Sequence, residues 1–193
     1  MDLSFRKLGT LIVVVLISYI LGRALGTLSL CPVIKKFKKG QYEALIPSAR
    51  KRYDRLNENE TFFSKRKGFI QTFDFFAKIL AISHFALKDY EKFLFYNDSI
   101  KADMEGKHFW NVIYLLTASK DIPSAEKEFD ELPESSASIT PACYTLVKAL
   151  FLFEKGQKED AYPLFQEAQA DIKMPALKDV VNEYLSVYST ETA

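Results

Sequence analysis

Residues 140–168 read TPACYTLVKALFLFEKGQKEDAYPLFQEA, and this stretch decides the fold. Thr140 followed by Pro141 marks a helix start: the threonine hydroxyl can accept a bond from a first-turn amide, and proline at the first helical position lacks only an N–H that has no partner there. The run Ala142 to Lys155 follows without a breaker. Gly156-Gln-Lys then gives a tight turn, and Glu159 to Ala168 supplies a second helix with Ala161, Phe165 and Ala168 on one stripe. The pattern is a helical hairpin.

Working towards the amino terminus, a poorer copy of the hairpin stands 36 residues earlier. Phe109, Val112 and Leu116 occupy its first helix, Ala125, Phe129 and Leu132 its second, and Pro123 and Pro133 bracket the latter. Ile113 and Lys120 stand where the better unit has Ala149 and Gly156. Further upstream, residues 37–44 (FKKGQYEA) and 86–93 (ALKDYEKF) share the character of a turn followed by a helix opening. Towards the carboxy terminus, Pro175 to Tyr188 reads as a closing helix, since stacked hairpins bury their apolar faces only against neighbours. Seven glycines and seven prolines in 193 residues are too few for a turn-rich β architecture, so the expected class is all-α.

Small Ala149, the Gly156 turn, small Ala161, aromatic Phe165 and small Ala168 resemble a tetratricopeptide-repeat unit, specifically over residues 141–170 and as architecture over most of 33–170. The resemblance implies an array of antiparallel hairpins whose first helices present a concave surface to a peptide or helix of a protein partner. By position in the unit, that groove would draw on Lys107, Trp110, Asn111 and Tyr114 from one hairpin and Cys143, Leu146, Leu150 and Phe153 from the next. The polar clamp that chaperone-binding members of the family use is not matched, because Leu146 and Leu150 stand where it needs Lys and Asn.

Leu8 to Leu30 is an apolar run of 23 residues interrupted only by Arg23, long enough to span a bilayer. The expectation is a tail and transmembrane helix over 1–32 and a helical domain over 33–193. The same run also fits a cleavable signal peptide, with Arg6 and Lys7 as its basic start and Ala24-Leu-Gly26 as a loose cleavage site. Lys35, Lys36, Lys38 and Lys39, then Arg50, Lys51 and Arg52, follow it and outnumber the basic residues before it, which predicts a single-pass protein with its helical domain in the cytoplasm. That cluster is also the expected contact with the lipid bilayer.

The formal net charge of +1 hides a strong polarity. Residues 33–67 carry 11 basic and 4 acidic side chains, whereas residues 120–193 carry 7 and 14. The two cysteines, Cys31 and Cys143, form no metal-knuckle or disulfide framework. His84 and His108 lack a partner at metal-ligand spacing, and no phosphate-cradling glycine loop or nucleophile elbow is present. Acidic pairs such as Asp130-Glu131 and Glu159-Asp160 read as solvated helix faces.

The expectation is a non-enzymatic, membrane-anchored interaction scaffold or adaptor. It would have a protein partner and no cofactor, metal, nucleic acid or small-molecule substrate. Two alternatives stay open: a structural or assembly subunit of a membrane complex, and a lumenal or secreted domain behind a signal sequence.

Overall fold

The computed structural model describes residues 32–59, 67–133 and 139–191. A short helix, α1, covers 32–38. It is followed by α2 (Tyr42–Glu58), α3 (Lys67–Ala86), α4 (Tyr90–Asp98), α5 (Met104–Tyr114), α6 (Ile122–Asp130), α7 (Pro141–Glu154), α8 (Lys158–Asp171) and α9 (Pro175–Glu191). No strand occurs among the described residues.

Four turns share one geometry. Gly40, Lys88, Lys120 and Gly156 adopt left-handed φ values of 68°, 58°, 58° and 83°. Gln41, Asp89, Asp121 and Gln157 follow with φ between −84° and −95°, and a helix begins at once. The amide of Gln41 donates to the Lys36 carbonyl at 3.0 Å, that of Asp89 to His84 at 2.9 Å and that of Gln157 to Leu152 at 2.9 Å, each reaching five residues back. These bonds satisfy carbonyls that a helix end leaves orphaned. At the third turn the helix widens into a π turn over Leu115–Ser119, so Asp121 N–H reaches six residues back to Leu115. At two of the four turns the following aspartate also caps the next helix: Asp89 accepts from Lys92 N–H at 3.4 Å and Asp121 from Ser124 N–H at 3.2 Å. Thr140 caps α7 through Cys143 N–H at 3.3 Å.

The hairpins are joined by aromatic pairs. Tyr53 and Phe73 meet at 4.9 Å between ring centroids, Phe85 and Trp110 at 5.2 Å, Phe129 and Phe151 at 5.3 Å, and Phe165 and Tyr184 at 5.3 Å. Each pair bridges a different helix interface, so one continuous core runs from α1 to α9. Burying one such ring stabilises by roughly 2–3 kcal/mol.

The closing helix does more than cap the last hairpin. Besides packing on α8, α9 packs against α3, and its Ala176 N–H donates to the Tyr42 hydroxyl at 2.9 Å, a contact across 134 residues of chain. Glu183 lies 3.4 Å from Lys88, and Tyr184 reaches Lys120 at the third turn. The seventeen-residue helix therefore lies across the ends of all the hairpins.

Two expectations are corrected here. Among the described residues no helix is long and apolar enough to cross a membrane, so the transmembrane helix and the single-pass localisation with a cytoplasmic domain find no support. The longest helix, α3, has 20 residues but carries Lys67, Asp74 and Lys78, so its length comes with charge. Residues 1–31, on which the transmembrane expectation falls, lie outside the described residues.

A Cβ on Gly40 would come within 3.2 Å of Pro175 Cβ, while one on Gly156 meets nothing within 4 Å. Both residues are left-handed, where an L side chain costs roughly 1–2 kcal/mol. Gly156→Ala should therefore lower stability by about 1 kcal/mol, and Gly40→Ala by more, because it also displaces the start of α9. Urea unfolding of the two variants checks the order, and a larger loss for Gly156→Ala contradicts the placement of α9.

Candidate functional site

The inner face of α3 borders two hollows, one on each side of the segment that starts α9. The larger is a groove of about 580 Å³ with Phe37, Phe75, Ile79, Ile82 and Met174 among its walls. The smaller is a cleft of about 400 Å³ walled by Phe85 and Phe153 on one side and Val180, Tyr184 and Val187 of α9 on the other. Helical spacing produces the groove: residues 75, 79 and 82 recur on one stripe of α3, and the short helix α1 brings Phe37 against it.

The charged groups of the groove are already engaged. Asp74 is 4% exposed and accepts backbone N–H bonds from Lys101 at 3.0 Å, Ala102 at 2.7 Å and Asp103 at 3.2 Å. It thereby pins the α4–α5 connection to α3. Lys78 pairs with Asp103, and burial holds its amine below the usual lysine range. Asp103 in turn caps α5 by accepting from Gly106 N–H at 3.1 Å.

In the cleft, the Lys120 ammonium donates to Glu154 Oε1 at 2.6 Å and to the Tyr184 hydroxyl at 2.9 Å, and Tyr184 donates to the same Glu154 oxygen at 2.7 Å. Burial, reinforced by the Glu154 carboxylate, pushes the Tyr184 hydroxyl far above the ordinary tyrosine value. That hydroxyl keeps its proton and works as a donor, which suits a latch between helices and not a nucleophile or base. The π turn and the left-handed Lys120 aim the ammonium into this cluster.

The residues expected to line a partner groove fall in different places. Trp110 is 5% exposed, and Leu146 and Leu150 are fully buried, so all three belong to the core. Phe153 packs on Tyr184 with centroids 4.9 Å apart, which places α9 over it. Tyr114 packs against Tyr90 and Phe93. Lys107 pairs with Asp98 at 3.2 Å, and Asn111 accepts from the buried Asn97 amide at 2.7 Å. Cys143 is half-buried and free. These eight side chains are not brought together around one hollow. Of the basic cluster, Lys35, Lys38, Lys39, Arg50 and Lys51 are exposed, while Lys36 and Arg52 are half-buried.

Both histidines have carboxylate neighbours that spacing along the chain does not reveal. His108 Nδ1 is 2.6 Å from Glu128 Oε2, linking α5 to α6, with no serine, threonine or cysteine hydrogen-bonded to the ring among the described residues. His84, 6% exposed at the end of α3, stacks on Tyr96, and its Nδ1 stands 3.2 Å from Asp89 Oδ2. Among the described residues no group of three or more ligating side chains could hold a metal ion.

No protein-family model, no curated protein and no solved structure matches the chain. The tetratricopeptide reading of residues 141–170 and the scaffold role attached to it are therefore without support from known proteins, and the class established is an all-helical protein of packed hairpins.

Two measurements follow from these networks. Tyr184→Phe removes a buried hydroxyl that serves both Lys120 and Glu154, and should cost about 1–3 kcal/mol in urea unfolding, against a near-zero effect of Gln166→Ala on the exposed face of α8. Burial lowers the His84 pKa in the folded state, with the Asp89 carboxylate opposing. The unfolded chain therefore takes up the proton first, and this contribution to stability is complete above pH about 6.5 and declines as pH falls below it. The stability difference between the parent and His84→Gln should shrink between neutral pH and mildly acid pH; a constant difference contradicts the assignment.

Proposed function

We propose that the protein is a non-enzymatic binding protein that holds a segment of a protein partner in the groove along α3. The observation that carries the reading is the groove itself. Its floor is Ile79 and Ile82, 4% and 5% exposed, and its rim is the half-buried Phe37, Phe75 and Met174. A hollow of about 580 Å³ accommodates a few large apolar side chains, as an amphipathic helix presents at i, i+3 and i+4. The charged groups beside it serve the fold: Asp74 is filled by three backbone donors and Lys78 by Asp103. A partner is then gripped by shape and apolar contact, with aromatic rings as its anchors.

A photo-crosslinking residue placed at Phe75 should give a discrete adduct with one protein in cells expressing the full chain, and the same residue at Glu167 on α8 should not. Phe37→Asp should abolish the Phe75 adduct while leaving the helical circular dichroism unchanged. No adduct at Phe75, the same adduct at both positions, or an adduct indifferent to Phe37→Asp contradicts the proposal.

A further inference from the structure

The first hairpin carries a row of cations that neither the core nor the groove uses. On α2 the buried residues Tyr42, Leu45, Ala49 and Tyr53 define the face turned to the core. Positions 44, 48, 51, 52 and 55 recur at helical spacing on a flank away from it. The Lys36 ammonium of α1 donates to the Ala44 carbonyl at 2.8 Å and so lies at the head of this flank. Lys36, Lys51, Arg52 and Arg55 therefore form one stripe, and the twelve residues from Ala44 to Arg55 make it about 16 Å long. Among the described residues Lys51, Arg52 and Arg55 pair with no carboxylate; the neighbouring Arg50, on another side of the helix, reaches Asp54 at 3.8 Å.

We propose that this flank of the first hairpin is a docking surface for an anionic lipid headgroup layer. None of the stripe's residues lines the groove or the cleft, so neither hollow joins it in reading the shape of a small ligand or a peptide side chain. No aromatic ring interleaves with the cations on the flank, where the intervening positions are Ala44 and Ser48, so bases have no stacking platform and no long side chain between the cations enters a duplex groove.

Helix α8 has the opposite charge. The exposed face of α8 carries Glu159, Asp160, Glu167 and Asp171, which no lysine or arginine neutralises among the described residues. An anionic plane attracts the cations of α2 and repels the exposed carboxylates of α8, so the protein meets it with the first hairpin. The contact is peripheral, made by side chains of folded helices, and needs no spanning segment.

The test uses the full chain with Cys31 and Cys143 replaced by serine and a fluorescent reporter attached at Ser48→Cys or, as the control, Gln166→Cys on α8. The vesicles contain phosphatidylcholine alone or mixed with phosphatidylserine, and carry a headgroup-linked quencher. The reporter at 48 should be quenched on the phosphatidylserine vesicles only, that at 166 on neither, and salt of about 1 M, where the Debye length is about 3 Å, should reverse the quenching.

Replacing Lys51, Arg52 and Arg55 together by glutamine should weaken vesicle binding about a hundred-fold, at roughly five-fold per basic residue. Equal quenching on both vesicle types, quenching at 166 like that at 48, indifference to the triple substitution, or tighter binding to a DNA duplex or to polyglutamate than to the phosphatidylserine vesicles overturns the proposal.

Discussion

One helix laid across the others governs this structure. Left to themselves, hairpins joined end to end contact only their neighbours, and such an array can open at any joint. Here α9 touches the first turn through Pro175 and Gly40, the second through Glu183 and Lys88, the third through Tyr184 and Lys120, and the last hairpin through Tyr184 and Phe165. Bringing Ala176 to Tyr42 closes a loop of more than a hundred residues, an entropic cost that grows only slowly with length. Burial of Ala176, Leu177, Val180, Val181 and Tyr184 offsets it. A modular array becomes in this way a single cooperative unit.

The hollows follow from that crossing. Because α9 starts against Tyr42 and runs away from α1, the inner face of α3 is covered at its middle and left open on either side, as the groove near Phe37 and the cleft near Lys120. Every charged group facing into the groove has a structural partner, and the cleft is closed by a three-way bond among Lys120, Glu154 and Tyr184. Apart from Gln71, what remains available in the groove is apolar, and this is why the functional reading is one of gripping a partner.

Much of the helical content was legible because its signals are local. Thr140-Pro141 and Gly156 place α7 and α8 to within a residue or so at the ends they mark, and Pro175 starts α9 as expected. The turns at Lys88 and Lys120 were harder to read, because a lysine in the left-handed region carries none of glycine's signature, and the π turn before Lys120 has no residue pattern of its own.

The expected groove failed to assemble for a tertiary reason. A helix period tells which residues share a face, and it does not tell that α9 covers Phe153 or that α3 packs on Trp110. The groove that exists draws on Phe37, Ile79 and Met174, about 40 and 95 residues apart in sequence, with no local mark to join them. His108 and Glu128 likewise meet across two helices. The apolar run before residue 32 carried the membrane expectation by composition alone, and it lies outside the described residues.

Native-state hydrogen exchange measures directly whether α9 is bound into the array as one cooperative unit with α3. The amides of Val180, Val181 and Tyr184 should exchange with the same opening free energy as those of Ala77, Leu80 and Ala81, that of global unfolding. Exchange through α9 that is orders of magnitude faster than through α3, at an opening free energy of its own, would contradict it.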